Sequence, residues 1–257
     1  MSSSINRWLV RPLPQPQARL RLFCFAFAGG SAWIFRPWAA QLAQLLSEPI
    51  DICAIELPGR GKRLAEPPIT SLADLIPTLG AQLLPLLDRP FAFFGHSMGA
   101  LIAFELCHWL RQTVQLIPAH LWVSAARAPQ LAIEPPLMHR LSKADFIDRL
   151  QHYQGTPISV LNNAELMDLM LPVLRADFTL LETYQYQPKG LLDCPITGLW
   201  GQQDNIVSQA EVAAWRVHTL QFDLSAISGD HFFMQQSLFI ETLLPRLNKL
   251  VRTNSIQ

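Results

Sequence analysis

Three side chains able to form an activated nucleophile stand far apart in this 257-residue sequence: Ser97, Asp204 and His231. A serine hydroxyl is a weak nucleophile until a base lies within hydrogen-bond reach, and the base needs an acid to orient it. Ser97 sits in Phe94-Gly95-His96-Ser97-Met98-Gly99-Ala100, a G-x-S-x-G with an apolar run before it and a helix-like run, residues 100–110, after it. That is the strand, sharp turn and helix of a nucleophile elbow. Of the seven histidines, only His231 falls just past a late strand-like run. His96 is adjacent to the nucleophile and reads as a packing or supporting residue. His108, His139, His152 and His218 fall on presumed helices or surface turns, and His120 begins a strand. Asp204 closes Gly201-Gln202-Gln203-Asp204, also just past an apolar run, and is the preferred acid. Asp230 is next to His231, and adjacent side chains diverge. Asp193 precedes its strand instead of following it.

The elbow's glycines have a steric job. The turn strains the serine backbone, and side chains beside it would meet the neighbouring strand and helix. The Met98 amide, at the start of the helix, can donate to a developing oxyanion. A second donor is expected from an early strand–helix loop. Residues 20–27 read as a strand ending in Ala28-Gly29-Gly30-Ser31, so the amide of Ala28 is assigned this role, with Gly29 as the neighbouring alternative. A phosphate-binding turn is the competing reading of these glycines, but neither G-x-G-x-x-G nor G-x-x-x-x-G-K-[ST] is present. Ser97, Asp204 and His231 follow the α/β-hydrolase order of nucleophile, acid and histidine. The chemistry is acyl transfer from the substrate carbonyl to Ser97 and then to water.

Elements able to position these groups are legible along the chain. Strand-like runs cover 20–27, 51–57, the run into the elbow, 120–126, 194–200 and 219–227. Helical patterns cover 33–46, 71–87, 100–110, 208–216 and 234–251. Alternating elements of this kind predict one α/β domain over residues 1–257, a mostly parallel sheet with helices on both faces. Residues 134–189 break the alternation. They carry no strand pattern and read as helices over 142–152, 164–171 and 173–184, the last two separated or kinked at Pro172. Leu166, Met167, Leu169, Met170, Leu174, Phe178 and Leu181 make this insertion apolar, as a lid over an apolar substrate tunnel would be. Extra core helices are the plainer alternative. Residues 1–18, with Pro12, Pro14 and Pro16, read as a flexible tail.

Composition narrows the classes. Half the residues are hydrophobic, enough for one large core, and 20 basic residues balance 20 acidic ones. Nothing points to nucleic acid. Mean hydropathy is +0.19, yet no apolar run reaches membrane-spanning length. The N-terminal residues lack the apolar core of a signal peptide. Cys24, Cys53, Cys107 and Cys194 are scattered without metal-ligand spacing and read as reduced packing residues of a cytoplasmic protein. No metal or organic cofactor is called for. Pro58-Gly59-Arg60-Gly61-Lys62-Arg63 is a cationic loop, read as a solvated turn or as a contact for an acidic partner or a phosphate near the active-site mouth.

With these residues in place, the chain resembles type II (external) thioesterases, the stand-alone hydrolases accompanying polyketide and nonribosomal peptide synthetases. It is also similar to the medium-chain thioesterase of animal fatty acid synthase. The resemblance rests on Phe25-Ala26-Phe27-Ala28-Gly29-Gly30, Leu57-Pro58-Gly59-Arg60-Gly61-Lys62-Arg63 and the elbow. Further on it rests on Gly155-Thr156-Pro157, Leu171-Pro172-Val173-Leu174-Arg175-Ala176-Asp177-Phe178, Trp215-Arg216-Val217-His218-Thr219 and Gly229-Asp230-His231-Phe232-Phe233. Ala26 departs from it, since the family often has proline there. The resemblance implies hydrolysis of acyl groups from the phosphopantetheine arm of an acyl or peptidyl carrier protein, in an editing role; a monomer is expected. Arg60, Lys62 and Arg63 would then face the acidic carrier. The same triad could instead serve an oxoester hydrolase, a lipase or an acyltransferase. A non-catalytic acyl- or carrier-binding protein would have no need of a poised base.

Overall fold

The computed structural model describes residues 7–153, 158–161 and 163–253. Among these, seven strands form one sheet: β1 (Leu9–Val10), β2 (Leu20–Phe25), β3 (Ile50–Ile55), β4 (Phe91–His96), β5 (Leu121–Ser124), β6 (Ile196–Gly201) and β7 (Phe222–Ile227). Their order is β1-β3-β2-β4-β5-β6-β7, with β1 antiparallel to β3 and every other pair parallel. Among the described residues eight α-helices connect or follow them: α1 (Arg36–Leu45), α2 (Leu72–Leu83), α3 (Met98–Val114), α4 (Lys143–Tyr153), α5 (Ile158–Leu161), α6 (Ala164–Glu182), α7 (Gln209–Ala213) and α8 (Phe239–Thr253). The expected α/β-hydrolase architecture is therefore present. Among the described residues no helix is long and apolar enough to cross a membrane.

The strands read as continuous apolar runs because both faces of the sheet are covered. Their period-2 alternation divides the side chains between two cores. Phe23, Phe25, Phe91 and Phe93 face one core, together with α2, α3 and Trp215. Leu20, Leu22, Cys24, Ala92 and Phe94 face the other, against α1 and α8. The elbow strand β4 lies between β2 and β5, so the loops that follow all three strands emerge side by side at the same end of the sheet.

One expectation fails and another is narrowed. The tail is not loose from residue 7 onward: Leu9 and Val10 pair with Ile55 and Ala54, Trp8 is buried, and Arg11 grips buried Asp51 at 2.6 Å. A two-residue edge strand carries no alternation to read. Of the two readings at Pro172, the separation is absent, since Pro172 lies inside a single helix, α6. An interior proline removes a helix hydrogen bond at a cost of roughly 3 kcal/mol. Met167, Leu174 and Phe178, on both sides of Pro172, bury in one small cluster with Phe146 and Leu150 of α4. That shared burial offsets the loss. The insertion thus has a core of its own, while Leu180, near the end of α6, joins the main core. Leu166 and Leu169 are exposed. Gly155-Thr156-Pro157 lies outside the described residues.

Candidate active site

The elbow is built as its glycines imply. Ser97 takes φ 53° and ψ −116°, a strained conformation for a residue with a side chain. A Cβ on Gly95 would come within 2.4 Å of Ala100 Cα, and one on Gly99 within 2.2 Å of the Phe25 carbonyl oxygen. Both contacts are with backbone, so neither neighbour can swing away. Ser97 is thereby set between the end of β4 and the first turn of α3, with the Met98 amide at the helix start.

His231 and Asp204 lie on the loops after β7 and β6. His231 Nδ1 is 2.8 Å from Asp204 Oδ2, and both side chains are buried. A carboxylate can only accept, so Nδ1 carries the proton of this bond. The other Asp204 oxygen accepts from the Ile206 and Val207 amides at 2.8 and 2.9 Å, which fixes the carboxylate plane. The acid and histidine loops are tied together through Gln203, whose amide donates to the Gly229 carbonyl at 2.9 Å.

His96 joins the histidine loop to the elbow. Its Nε2 lies 2.9 Å from the His231 carbonyl oxygen, and its Nδ1 lies 2.9 Å from Ser124 Oγ at the end of β5. The carbonyl requires Nε2–H as donor, so Nδ1 accepts from the Ser124 hydroxyl. Burial holds His96 well below the ordinary histidine range, in keeping with this neutral form. Its ring centroid is 5.5 Å from that of His231. Sequence reasoning reached only a packing or supporting role for His96; its place beside the serine was the available signal.

The first strand–helix loop reaches the site with its amides unequally occupied. Gly29 N–H donates to Asp177 Oδ2 of α6 at 2.7 Å, and Gly30 N–H donates to the Phe27 carbonyl at 2.9 Å. Gly29 is therefore committed elsewhere, and Ala28 remains the candidate donor. Phe27 packs edge-on against Phe232, ring centroids 5.0 Å apart.

The cationic loop differs from expectation. Arg60 is buried against Asp177, Arg63 is buried against Glu66 and stacked 3.9 Å from the Trp8 ring, and Lys62 alone is exposed. Arg60 and Arg63 are interior braces, not a surface for an acidic partner. The sequence could not distinguish these because their carboxylate partners are remote or on another turn. His108 lies on α3, as expected, while His218 is not at a surface turn; both are buried around Phe104. A cavity of about 360 Å³ lined by Ser71, Ile76, Glu105, Trp109, Tyr184 and Lys189 contains none of Ser97, Asp204 and His231.

The sheet order and elbow define an α/β-hydrolase. The thioesterase domain family model matches residues 20–249, so the chain belongs to that family and is a thioester hydrolase. It is 42% identical to linear gramicidin dehydrogenase LgrE of Brevibacillus parabrevis, covering 90% of this chain and 88% of that protein. It is 41% identical to gramicidin S biosynthesis protein GrsT of Aneurinibacillus migulanus, over 92% of this chain and 91% of the relative. Among solved structures, YbtT, described as the type II thioesterase of the yersiniabactin NRPS/PKS pathway, superposes with a TM-score of 0.83 at 32% identity. That match covers 96% of this chain and 99% of YbtT.

Proposed function

We propose that this thioesterase removes acyl groups from the phosphopantetheine arms of carrier proteins in nonribosomal peptide or polyketide synthesis, through an acyl-Ser97 intermediate. The observation that carries the site reading is the 2.8 Å Asp204–His231 pair set on loops beside the strained Ser97 elbow. The biosynthetic setting rests on the likeness to GrsT and YbtT. The dehydrogenase in the name of LgrE has no counterpart in a dinucleotide fingerprint here, since G-x-G-x-x-G is absent.

In this mechanism His231 Nε2 takes the Ser97 hydroxyl proton as Oγ attacks the thioester carbonyl. Asp204 steadies the resulting imidazolium through Nδ1–H. The Met98 and Ala28 amides hold the tetrahedral oxyanion. Collapse breaks the C–S bond, and the proton from Nε2 leaves with the phosphopantetheine thiol. Water then gives a proton to Nε2, attacks the acyl-serine, and releases the acid with Ser97 restored. The 134–189 insertion acts as a lid over the acyl chain, supported by its separate core and its exposed Leu166 and Leu169. Four buried cysteines, each outside any disulfide, support a cytoplasmic setting, where the protein acts as a monomer.

Purified protein is mixed with acyl-phosphopantetheinyl carrier protein and the acyl mass is followed beside Ser97→Ala. Loss of the acyl group with wild type alone is the expected result. Deacylation by Ser97→Ala would overturn the nucleophile. No deacylation across short and medium chains, with turnover of matched oxoesters or transfer to an added alcohol, would replace the substrate class.

A further inference from the structure

The loop proposed to supply the second oxyanion donor is held from outside the sheet. Gly29 stands at φ +77°, and a Cβ there would come within 2.6 Å of Leu174 Cδ2 on α6. One helical turn on, Asp177 accepts the Gly29 amide at 2.7 Å. The same carboxylate takes a bidentate Arg60: Nη1 to Oδ2 at 2.8 Å and Nη2 to Oδ1 at 2.7 Å. Arg60 Nη1 also reaches the Gly30 carbonyl at 3.3 Å. The Arg60 and Asp177 side chains are 7% and 1% exposed. Beyond them, Glu56 of the loop after β3 accepts the Ala32 amide at 3.2 Å. Residues 29–32 are thus held by side chains from two other segments, and the firmest hold comes from the inserted helix.

A buried ion pair is poor grounds for stability, because an apolar pair of similar volume often serves as well or better. What an apolar pair cannot do is accept the Gly29 amide and orient the peptide that joins Ala28 to Gly29. We propose that Asp177 and Arg60 are positioning residues for the oxyanion donor: they set the 28–29 peptide, and through it the adjoining 27–28 peptide that carries the Ala28 N–H and whose Phe27 carbonyl accepts the Gly30 amide, and they make the middle of α6 the fixed footing of the insertion. Any distortion that reaches Asp177 is transmitted to the oxyanion loop. The inference rests on the reading of Ala28 N–H as a donor and Ser97 as the nucleophile.

The test compares Asp177→Asn, Arg60→Lys and the apolar double variant Arg60→Met with Asp177→Leu. Each is first checked for cooperative unfolding. Deacylation kinetics are then measured with two inhibitors: an acyl trifluoromethyl ketone, which forms an oxyanion adduct with the serine, and an acyl thioether, which does not. The double variant is expected to fold, to lose roughly ten- to hundredfold in kcat with KM within about twofold, and to lose the same factor in ketone affinity. Thioether affinity stays within about twofold of wild type. Asp177→Asn, still an acceptor for Gly29, falls between the two and remains measurable if the double variant does not fold. A folded variant with wild-type kcat and ketone affinity overturns the proposal. So does equal weakening of ketone and thioether, which marks a merely structural pair. Ser97→Ala in the same assay separates the two levels: if it still deacylates, the site reading itself has failed.

Discussion

Acidification from pH 7 to pH 5 should cost this protein about 5 kcal/mol of folding stability through three buried histidines. His108, His120 and His218 are each 2% exposed or less. Burial is the main reason that His108 and His218 are pushed down to about 4 and His120 to about 3, from the ordinary 6.5. Neighbouring charge adds to this, from Arg111 and Lys189 at His108 and from Arg246 at His120, where Asp223 opposes it. The bonding agrees for His108, whose Nδ1 faces an Arg111 guanidinium nitrogen at 3.3 Å and so has no room for a proton. The folded values are depressed, so the stability is fully present above about 6.5 and is lost as the pH falls. At pH 5 the unfolded chain is almost fully protonated at each site, while the folded chain is about one-tenth protonated or less. Each site then withdraws about 1.8 kcal/mol between pH 7 and pH 5, which for three is a large share of an ordinary 5–15 kcal/mol. His96 acts in the same direction. Urea unfolding followed by circular dichroism at half-unit steps of pH measures the slope. His120→Gln should reduce it by about 1.4 kcal/mol per pH unit below pH 6. A midpoint unchanged between pH 7 and pH 5, or an unaltered slope in His120→Gln, would refute the reasoning. Loss of deacylation in acid then needs this unfolding subtracted before any part is assigned to the catalytic base.

Glu56 has the opposite sign: burial raises its carboxyl above the usual 4.5, so wild type gains stability as the pH falls through that titration. Glu56→Gln should be the more stable protein at pH 7–8 and lose its advantage towards pH 4.5. A pH-independent difference in urea midpoint would contradict this. His96→Ala leaves the His231 carbonyl and the Ser124 hydroxyl without their partner, and is expected to lower stability by about 2–4 kcal/mol. It should also lower kcat roughly ten- to hundredfold by loosening His231. His96→Gln, which can restore the donor, should recover part of kcat; equal losses in both would remove the positioning role.

The order of elements, the elbow and the positions of Ser97, Asp204 and His231 relative to their strands could be read from sequence. Each is signalled locally, by an apolar run followed by glycine or a polar turn. A parallel sheet buried on both faces makes such runs continuous, and they stand out against their flanking loops. The roles of the charged residues could not be read this way. Arg60 and Asp177 are 117 positions apart, and only the packing of α6 against the loop after β3 makes one the partner of the other. Without that contact Arg60 looks like any arginine in a glycine-rich turn. The continuity of α6 through Pro172 was likewise settled by the burial of Met167, Leu174 and Phe178 in a shared cluster, against the local preference of proline. The chain itself gave Ala28 as the donor but left Gly29 as a neighbouring alternative. The tertiary structure narrows the choice, because Asp177 occupies the Gly29 amide. Apolar periodicity is encoded in near neighbours, whereas a buried charge is assigned only by the partner that folding brings to it.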